Sequence, residues 1–486
     1  MRARLNTPVI FVCAAVVLAS PGCTVGPDYV RPTAEAPAAY KEMPPAKPAQ
    51  PADGSPRGKW WEIYGDAHLN VLEEGVAAAN QSLRVAEANY RQAQALVQQA
   101  RAGLYPTVGA NVNAARARQG GVTQSLYTLG LPVDWEVDVW GKIRRSVEAS
   151  EAGAQASAAD LETTRLSLQA QLAQSYFALR IADRDKKLLD ETVAAYTRSR
   201  ELTQNRYNAG VVARSDVVQA EAQLQAAQVQ AVDIGVSRAQ LEHAIAVLIG
   251  KPPAEFSLPA VDAVTPLPPI PSAVPSELLE RRPDIAAAER RVAAANAQIG
   301  VATAAFYPTL SLSGTFGFAG SSFSNWISLP HRVWSLGAAL ATPLFDAGLR
   351  QAQREETIAA YDATVATYRQ TVLAGFQEVE DNLAALRILE QEAAVQQTAL
   401  ASARKAVELA LNQYRAGLVN YINVVTLQAA ALASERNAVE LAGRRLVASA
   451  TLIKALGGGW RTSDNFHPPD PLNLPTGSHT ISTRER

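Results

Sequence analysis

The sequence predicts a mainly α-helical protein that also supplies strands to a membrane β-barrel and is built from two copies of one unit. The segment Tyr-Asn-Ala-Gly at 207–210 recurs as Tyr-Arg-Ala-Gly at 414–417, 207 residues later. In both halves, segments in which apolar and polar residues alternate precede long proline-free segments. Because an internal period decides the architecture before any single element does, we expect each copy to hold a β-hairpin and long antiparallel helices.

Composition and motifs argue against several classes of function. The net charge is −1 over 486 residues, without a basic stripe, which gives no reason to expect nucleic acid as a partner. The five histidines lack metal-ligand spacing, and the sequence has no Walker A loop for ATP. We therefore expect no enzyme activity, no metal and no cofactor other than a covalent lipid.

Residues 1–22 are typical of a signal peptide. Arg2 and Arg4 precede an apolar run at 8–19 that is too short to span a bilayer. Ser20-Pro21-Gly22-Cys23 resembles a bacterial lipoprotein cleavage box, although the usual Leu three residues before the cysteine is absent. We expect a lipid such as palmitate on Cys23 and, because Thr24 follows, sorting to the outer membrane. The alternative is an incidental free thiol.

The predicted first repeat follows a Pro- and Ala-rich tether. The tether covers residues 23–61 and ends at Trp60-Trp61, and repeat 1 covers 62–250. Its predicted elements are a helix at 67–103, strands at about 107–118 and 127–139, and helices at 141–206 and 214–249. The second strand alternates apolar residues with Asp134, Glu136 and Asp138, as a membrane strand between lipid and a wet lumen does. A half-buried strand of a soluble sheet is the alternative.

A Pro-rich linker at 251–275 leads to the second repeat, which covers 276–460 and repeats the pattern. Its predicted elements are a helix at 276–305, strands at about 308–318 and 332–345, and helices at 347–413 and 419–456. The hairpin loops are expected near 119–125 and 319–331, and residues 461–486 form a polar tail. Four strands are too few to close a membrane barrel, so we expect several chains to share one.

The length of the helices sets the scale of the molecule. A helix over 141–206, with apolar residues at heptad spacing, spans roughly 100 Å at 1.5 Å per residue. Gly210 and Gly417 favour the left-handed conformation that ends a helix. Two half-length helices can therefore pack along each full-length helix.

Several motifs, in order from Cys23 to Trp460, resemble one family. They are Cys23–Pro32, Trp60-Trp61, Arg281–Ile285, Phe306–Thr309, Tyr414–Gly417 and Leu456–Trp460. Together they resemble the outer-membrane efflux lipoproteins of the TolC-like outer membrane factor family. The resemblance implies a homotrimer with a twelve-strand barrel in outer-membrane lipid and a twelve-helix tunnel in the periplasm of a Gram-negative bacterium. It further implies an exit duct for small molecules such as drugs, joined through a periplasmic adaptor to an inner-membrane transporter of the resistance-nodulation-division (RND) type.

The resemblance also implies the position of the functional residues. The adaptor-contacting tips would be Gly210 and Val211 in the first copy and Gly417 and Leu418 in the second. The ring of the closed periplasmic aperture would be formed by Ser215, Asp216, Tyr421, Ile422, Asn423 and Thr426. Some relatives carry aspartates where this chain has Asn423 or Thr426. Asp216 leaves three carboxylates in a trimer, enough for a cation-selective or pH-sensitive gate, unless it only caps its helix.

Two other functions are compatible with parts of the sequence. A lipid-anchored periplasmic coiled-coil scaffold explains the long helices and Cys23, but not four alternating strands placed symmetrically in the two copies. A type I protein-secretion conduit has the same architecture as an efflux duct, although the lipoprotein box favours efflux. The sequence does not identify the substrate or the partner proteins.

Overall fold

The computed structural model describes residues 24–37, 39–42, 59–261, 265–268 and 282–458. The predicted signal peptide, Cys23, the polar tail, and parts of the tether and linker lie outside these ranges. The described helices are α1 (Ala67–Ala79), α2 (Gln81–Ala102), α3 (Lys142–Asn208), α4 (Arg214–Leu248), α5 (Pro283–Ala304), α6 (Leu349–Arg415) and α7 (Tyr421–Ala455). The strands are β1 (Thr107–Val108), β2 (Asn111–Gln119), β3 (Val122–Val137), β4 (Thr309–Gly320) and β5 (Arg332–Ala341).

Two helices of equal length dominate the described chain. The helices α3 and α6 have 67 residues each, and their return helices α4 and α7 have 35 each. The helices α6 and α7 begin and end 207 residues after their counterparts α3 and α4. Both long helices follow a glycine with positive φ, Gly141 and Gly348. Asp138 then accepts backbone N–H bonds from Ile143 and Arg144, at 3.0 and 2.9 Å, which satisfies donors of the first turn of α3.

The single helix predicted at 67–103 is wrong, because the chain breaks at Asn80. Asn80 has an extended backbone, and its side-chain oxygen accepts the N–H of Leu83 at 3.1 Å. Its amide nitrogen donates to the carbonyl of Leu248 at 2.7 Å. Asn80 therefore starts α2 and fixes the end of α4 beside it.

The described part of the second repeat starts its first helix later than predicted. Arg282 has an extended backbone and Pro283 occupies the first helical position, where its fixed φ is favourable. The helix predicted from residue 276 therefore has its described start at Pro283, and residues 276–281 lie outside the described ranges.

One antiparallel sheet joins the two copies. Its strands follow the order β2, β3, β4, β5, with β1 and β2 both pairing with β3. The strands β3 and β4 pair across the copies, with Trp135 opposite Leu312. The predicted loop at 119–125 is instead a two-residue turn at Gly120 and Gly121, with φ of 58° and 82°, as in tight hairpins.

Other strand bounds also differ from the prediction. The first strand is interrupted between β1 and β2, β3 starts at Val122 and not near residue 127, and β5 ends at Ala341 and not at 345. Pro343 follows β5 closely, and proline lacks the N–H that a strand ladder requires. None of the described helices is long and apolar enough to cross a bilayer.

Two apolar clusters lie midway along the long helices. The first surrounds Trp60, Trp61 and Tyr64, whose ring lies 4.8 Å from that of Phe177 on α3. The second contains Tyr40, α5 and the middle of α6. These two clusters form a belt around the middle of the helices, and a smaller cluster at the tip end of the helices contains Ala220, Ala410, Tyr414, Tyr421 and Val424.

The N-terminal strap, defined as residues 24–37 and 39–42, runs along this body. The N–H of Val25 donates to the carbonyl of Trp140 at 3.1 Å, where β3 leads into α3. Asp28 forms an ion pair with Arg145 at 2.7 Å, and the N–H of Lys41 donates to Glu380 at 2.7 Å. The strap therefore connects the junction of sheet and helices with the middle of α6.

Candidate functional site

The two predicted tips have the same backbone geometry. In the first tip, the N–H groups of Gly210 and Val211 donate to the carbonyls of Tyr207 and Arg206, at 2.8 and 2.9 Å. The second tip repeats this pattern around Gly417, with distances of 3.0 and 2.9 Å. Both are Schellman turns, and the glycines have φ of 72° and 75°. The side chains of Val211 and Leu418 are exposed at the ends of these turns.

Arg206 joins one tip to the other. Its Nη1 donates to the carbonyls of Tyr414 and Arg415, at 3.0 and 2.9 Å, and its guanidinium lies 4.8 Å from the ring centre of Tyr414. These carbonyls belong to the last turn of α6, which lacks intrahelical donors. Arg206 was not among the residues predicted from the sequence, and its counterpart in the second copy is Gln413. The only signal was a basic residue in the last turn of a helix.

Tyr421 is the one predicted aperture residue that is fully buried within the chain. Its side chain is 1% exposed, its hydroxyl lies 3.0 Å from that of Ser199 on α3, and its ring lies 5.1 Å from that of Tyr414. Burial raises the pKa of both tyrosines above the usual value. In this conformation Tyr421 fixes the start of α7 against α3, and its hydroxyl does not face solvent.

The other predicted aperture residues lie on the first two turns of α4 and α7. Ser215, Ile422, Asn423 and Thr426 are exposed, and Asp216 is half-buried. The hydroxyl of Thr426 donates to the carbonyl of Ile422 at 2.9 Å, which is one turn earlier. Asp216 is the one carboxylate of the set and lies in the positive first turn of α4. The structure thus brings both copies together at one end of the helices and leaves five of the six predicted side chains at least partly accessible.

The match to a family model decides what kind of protein this is. Residues 74–251 and 274–458 match the model of the outer membrane efflux protein family. The chain belongs to this family. The chain is 30% identical to the antibiotic efflux pump outer membrane protein ArpC of Pseudomonas putida, over 90% of this chain and 93% of ArpC. It is also 30% identical to the outer membrane protein OprJ of Pseudomonas aeruginosa, over 94% of this chain and 97% of OprJ.

Solved structures agree with this assignment. The structure of the outer-membrane channel OprN superposes with a TM-score of 0.84 and 32% identity, covering 90% of this chain and all of OprN. The TolC-like assignment and its function as an outer-membrane channel component of an efflux pump are therefore confirmed. The family membership also decides against a coiled-coil scaffold. Family members are channel proteins.

Proposed function

We propose that three copies of this chain form the exit duct of a tripartite efflux pump, with a twelve-strand barrel in the outer membrane and a twelve-helix tunnel in the periplasm. The observation that carries the proposal is the open sheet. Its edge strands, β2 and β5, each pair with one neighbour in the described chain, and Trp334, Leu336 and Leu340 on β5 are at least 69% exposed. Unpaired strand edges are not tolerated in lipid. Pairing β5 of one copy with β1 and β2 of the next removes both edges.

The number of helices per chain also fits a trimer. Each chain has two full-length helices and two pairs of half-length helices that pack along them, which makes four helical positions per chain. Three chains then give twelve positions, equal to the number of strands. A wall of this kind conducts passively and needs no catalytic group, so we propose that an RND-type inner-membrane transporter supplies the energy through a periplasmic adaptor protein.

The lipid anchor is a second part of the proposal, and the N-terminal strap supports it. The N–H bond of Val25 to Trp140 holds the strap at the junction of strands and helices. A Cβ on Gly141 would lie 2.8 Å from the side chain of Thr24, so the two backbones are in close contact there. Cys23 immediately precedes Thr24, and a lipid on Cys23 would enter the membrane beside the barrel.

The tips and aperture form the third part. We propose that Gly210, Val211, Gly417 and Leu418 meet the adaptor, because they end the two turns and are exposed. We propose that Ser215, Asp216, Ile422, Asn423 and Thr426 line the aperture and that buried Tyr421 supports its wall. A trimer would hold three Asp216 carboxylates, which favours cations near the constriction.

The native mass of the full chain, extracted from outer membranes in mild detergent, tests the duct. We expect a three-chain particle that forms ion-conducting pores in planar bilayers. A monomer without pore activity would contradict the shared barrel. Cys23→Ser tests the anchor separately. We expect mass spectrometry to find a lipid on the N-terminus of the wild-type chain and none on the variant, with the trimer intact in both. A wild-type N-terminus with the mass of an unmodified cysteine would refute lipidation.

A further inference from the structure

A small basic cavity lies between α3, α7 and residues 265–267 of the Pro-rich linker, away from the tips. It has a volume of about 150 Å³ and is lined by three arginines, Arg180, Arg184 and Arg445, together with linker residues 265–267. The other described lining residues are Ile181, Ala442 and Leu446. No acidic side chain of the described chain lines this cavity. Three guanidinium groups thus share one space.

Arg180 is the most constrained of these arginines. It is 6% exposed, and its Nη1 donates to Asp183 at 3.1 Å and to the carbonyl of Pro259 at 2.9 Å. Its Nη2 is buried without a hydrogen-bond partner in the described structure. A buried charged donor left without an acceptor is costly. One end of the guanidinium is therefore satisfied by the protein, whereas Nη2 has no acceptor in the described structure, and the guanidinium lies 4.8 Å from the ring centre of Tyr176.

Arg445 and Arg184 add two further charges. The buried Nε of Arg445 also lacks a partner among the described residues. Arg184 lies one turn after Arg180 on α3, a spacing at which two positive charges repel each other. The carboxylate of Asp183 on α3 is shared between Arg180 at 3.1 Å and Arg238 at 2.7 Å. Arg180 is thus paired with Asp183, and Asp66 accepts from the lining residue Thr265 at 3.5 Å, whereas Arg184 and Arg445 have no carboxylate partner in the described structure.

We propose that this cavity binds a small doubly charged oxyanion, such as phosphate. Guanidinium groups recognise such anions through charge-assisted, often paired hydrogen bonds. The cavity is well below the roughly 300–1,000 Å³ of drug-sized ligand sites, so the ligand is a small ion and not an efflux substrate. The bound anion would offset the charges of Arg184 and Arg445 and hold linker residues 265–267 against α3 and α7.

Phosphate binding to the full chain in mild detergent tests the proposal. Isothermal titration with sodium phosphate at pH 7 is compared with sodium chloride at equal ionic strength. We expect saturable binding of phosphate and a raised thermal unfolding temperature that chloride does not reproduce. Glycerol 3-phosphate distinguishes the source: if it binds as well as phosphate, the natural ligand is a phosphate monoester group, and if it does not, the ligand is the free anion.

Arg445→Gln and Arg184→Gln each remove one charge from the cavity, and we expect each to weaken phosphate binding about tenfold or more, because a hydrogen bond to a charged group contributes that much. Arg444→Gln is the matched control. Arg444 is the neighbour of Arg445 on α7, but its side chain is 54% exposed and pairs with Glu392 at 3.6 Å. Binding should be unchanged in this variant.

A second substitution keeps the test valid if a glutamine variant does not fold. Arg445→Lys retains the charge and removes the buried Nε donor, and we expect weaker phosphate binding by a particle of wild-type size. The proposal is overturned if the wild-type chain shows no saturable phosphate binding. It is also overturned if the folded cavity variants bind phosphate as tightly as Arg444→Gln does.

Discussion

Glu73 gives the sharpest prediction on stability, because it is a buried acid without a partner. Its side chain on α1 is 0% exposed, and neither carboxylate oxygen has a hydrogen-bond partner in the described structure. Burial raises the pKa of this carboxyl to about 9. The folded chain therefore holds Glu73 in its neutral form at pH 7, whereas the unfolded chain ionises it.

The direction of the pH dependence follows from this difference. The folded pKa lies above the usual value of 4.5, so the folded state binds a proton that the unfolded state releases. The contribution of Glu73 to stability is intact below pH 4.5 and falls by about 1.4 kcal/mol per pH unit until about pH 9. At pH 7 the loss amounts to about 3 kcal/mol. Glutamine has nearly the same shape as glutamic acid but no ionisable group. Glu73→Gln should therefore recover most of this loss of stability.

Thermal unfolding of the detergent-solubilised chain between pH 5 and pH 8 measures the effect. We expect Glu73→Gln to raise the unfolding temperature by several degrees at pH 8, by less at pH 6, and hardly at all at pH 5. Glu74→Gln is the matched control, because the Glu74 side chain is 59% exposed and pairs with Lys59 at 2.6 Å. A stability gain that is independent of pH, or a destabilised Glu73→Gln chain at pH 8, would refute the assignment of a neutral buried acid.

Three other substitutions probe the strap, the helix break and the tips. Gly26→Ala should lower the unfolding temperature and expose the strap to limited proteolysis, because Gly26 has a φ of 94° and a Cβ there would lie 2.5 Å from the Cα of Gly300. Asn80→Ala should destabilise the chain by about 1–2 kcal/mol in thermal melts, through loss of the helix cap and of the bond to Leu248. Arg206→Gln should speed hydrogen exchange at both tips several-fold while exchange in the sheet stays unchanged, since its bonds to the second tip are lost.

Features that depend on local chemistry and on the duplication could be predicted from the sequence. The long helices predicted at 141–206 and 347–413 lie within two residues of the observed bounds, because proline-free runs between glycines leave few other solutions. The helix break at Asn80 and the tight turn at Gly120-Gly121 were not predicted, although both had local signals in the sequence. Asn80 is a residue type that caps helices, and Gly120-Gly121 between two alternating segments is a hairpin signal. Both were outweighed by the longer pattern around them.

Side-chain direction at the candidate aperture could not be predicted, because it depends on contacts between distant segments. Tyr421 and Ile422 are adjacent, yet Tyr421 is buried and Ile422 is 47% exposed. Tyr421 faces α3, where its hydroxyl lies 3.0 Å from that of Ser199, 222 residues away in the chain, whereas Ile422 points away from this contact. The basic cavity has the same origin, since Arg184 and Arg445 come together only when α3 packs on α7.

The duplication preserves the backbone of the tips but not their surfaces. Both turns have the same hydrogen bonds and the same left-handed glycine, so a partner that recognises backbone shape meets two equal sites in each chain. A partner that recognises side chains meets two different ones, with Val211 at one tip and Leu418 at the other. Arg206 adds to the asymmetry, because it reaches from the first tip to the second and its counterpart Gln413 carries no charge. Arg206 therefore links the two tips through its hydrogen bonds to the carbonyls of Tyr414 and Arg415.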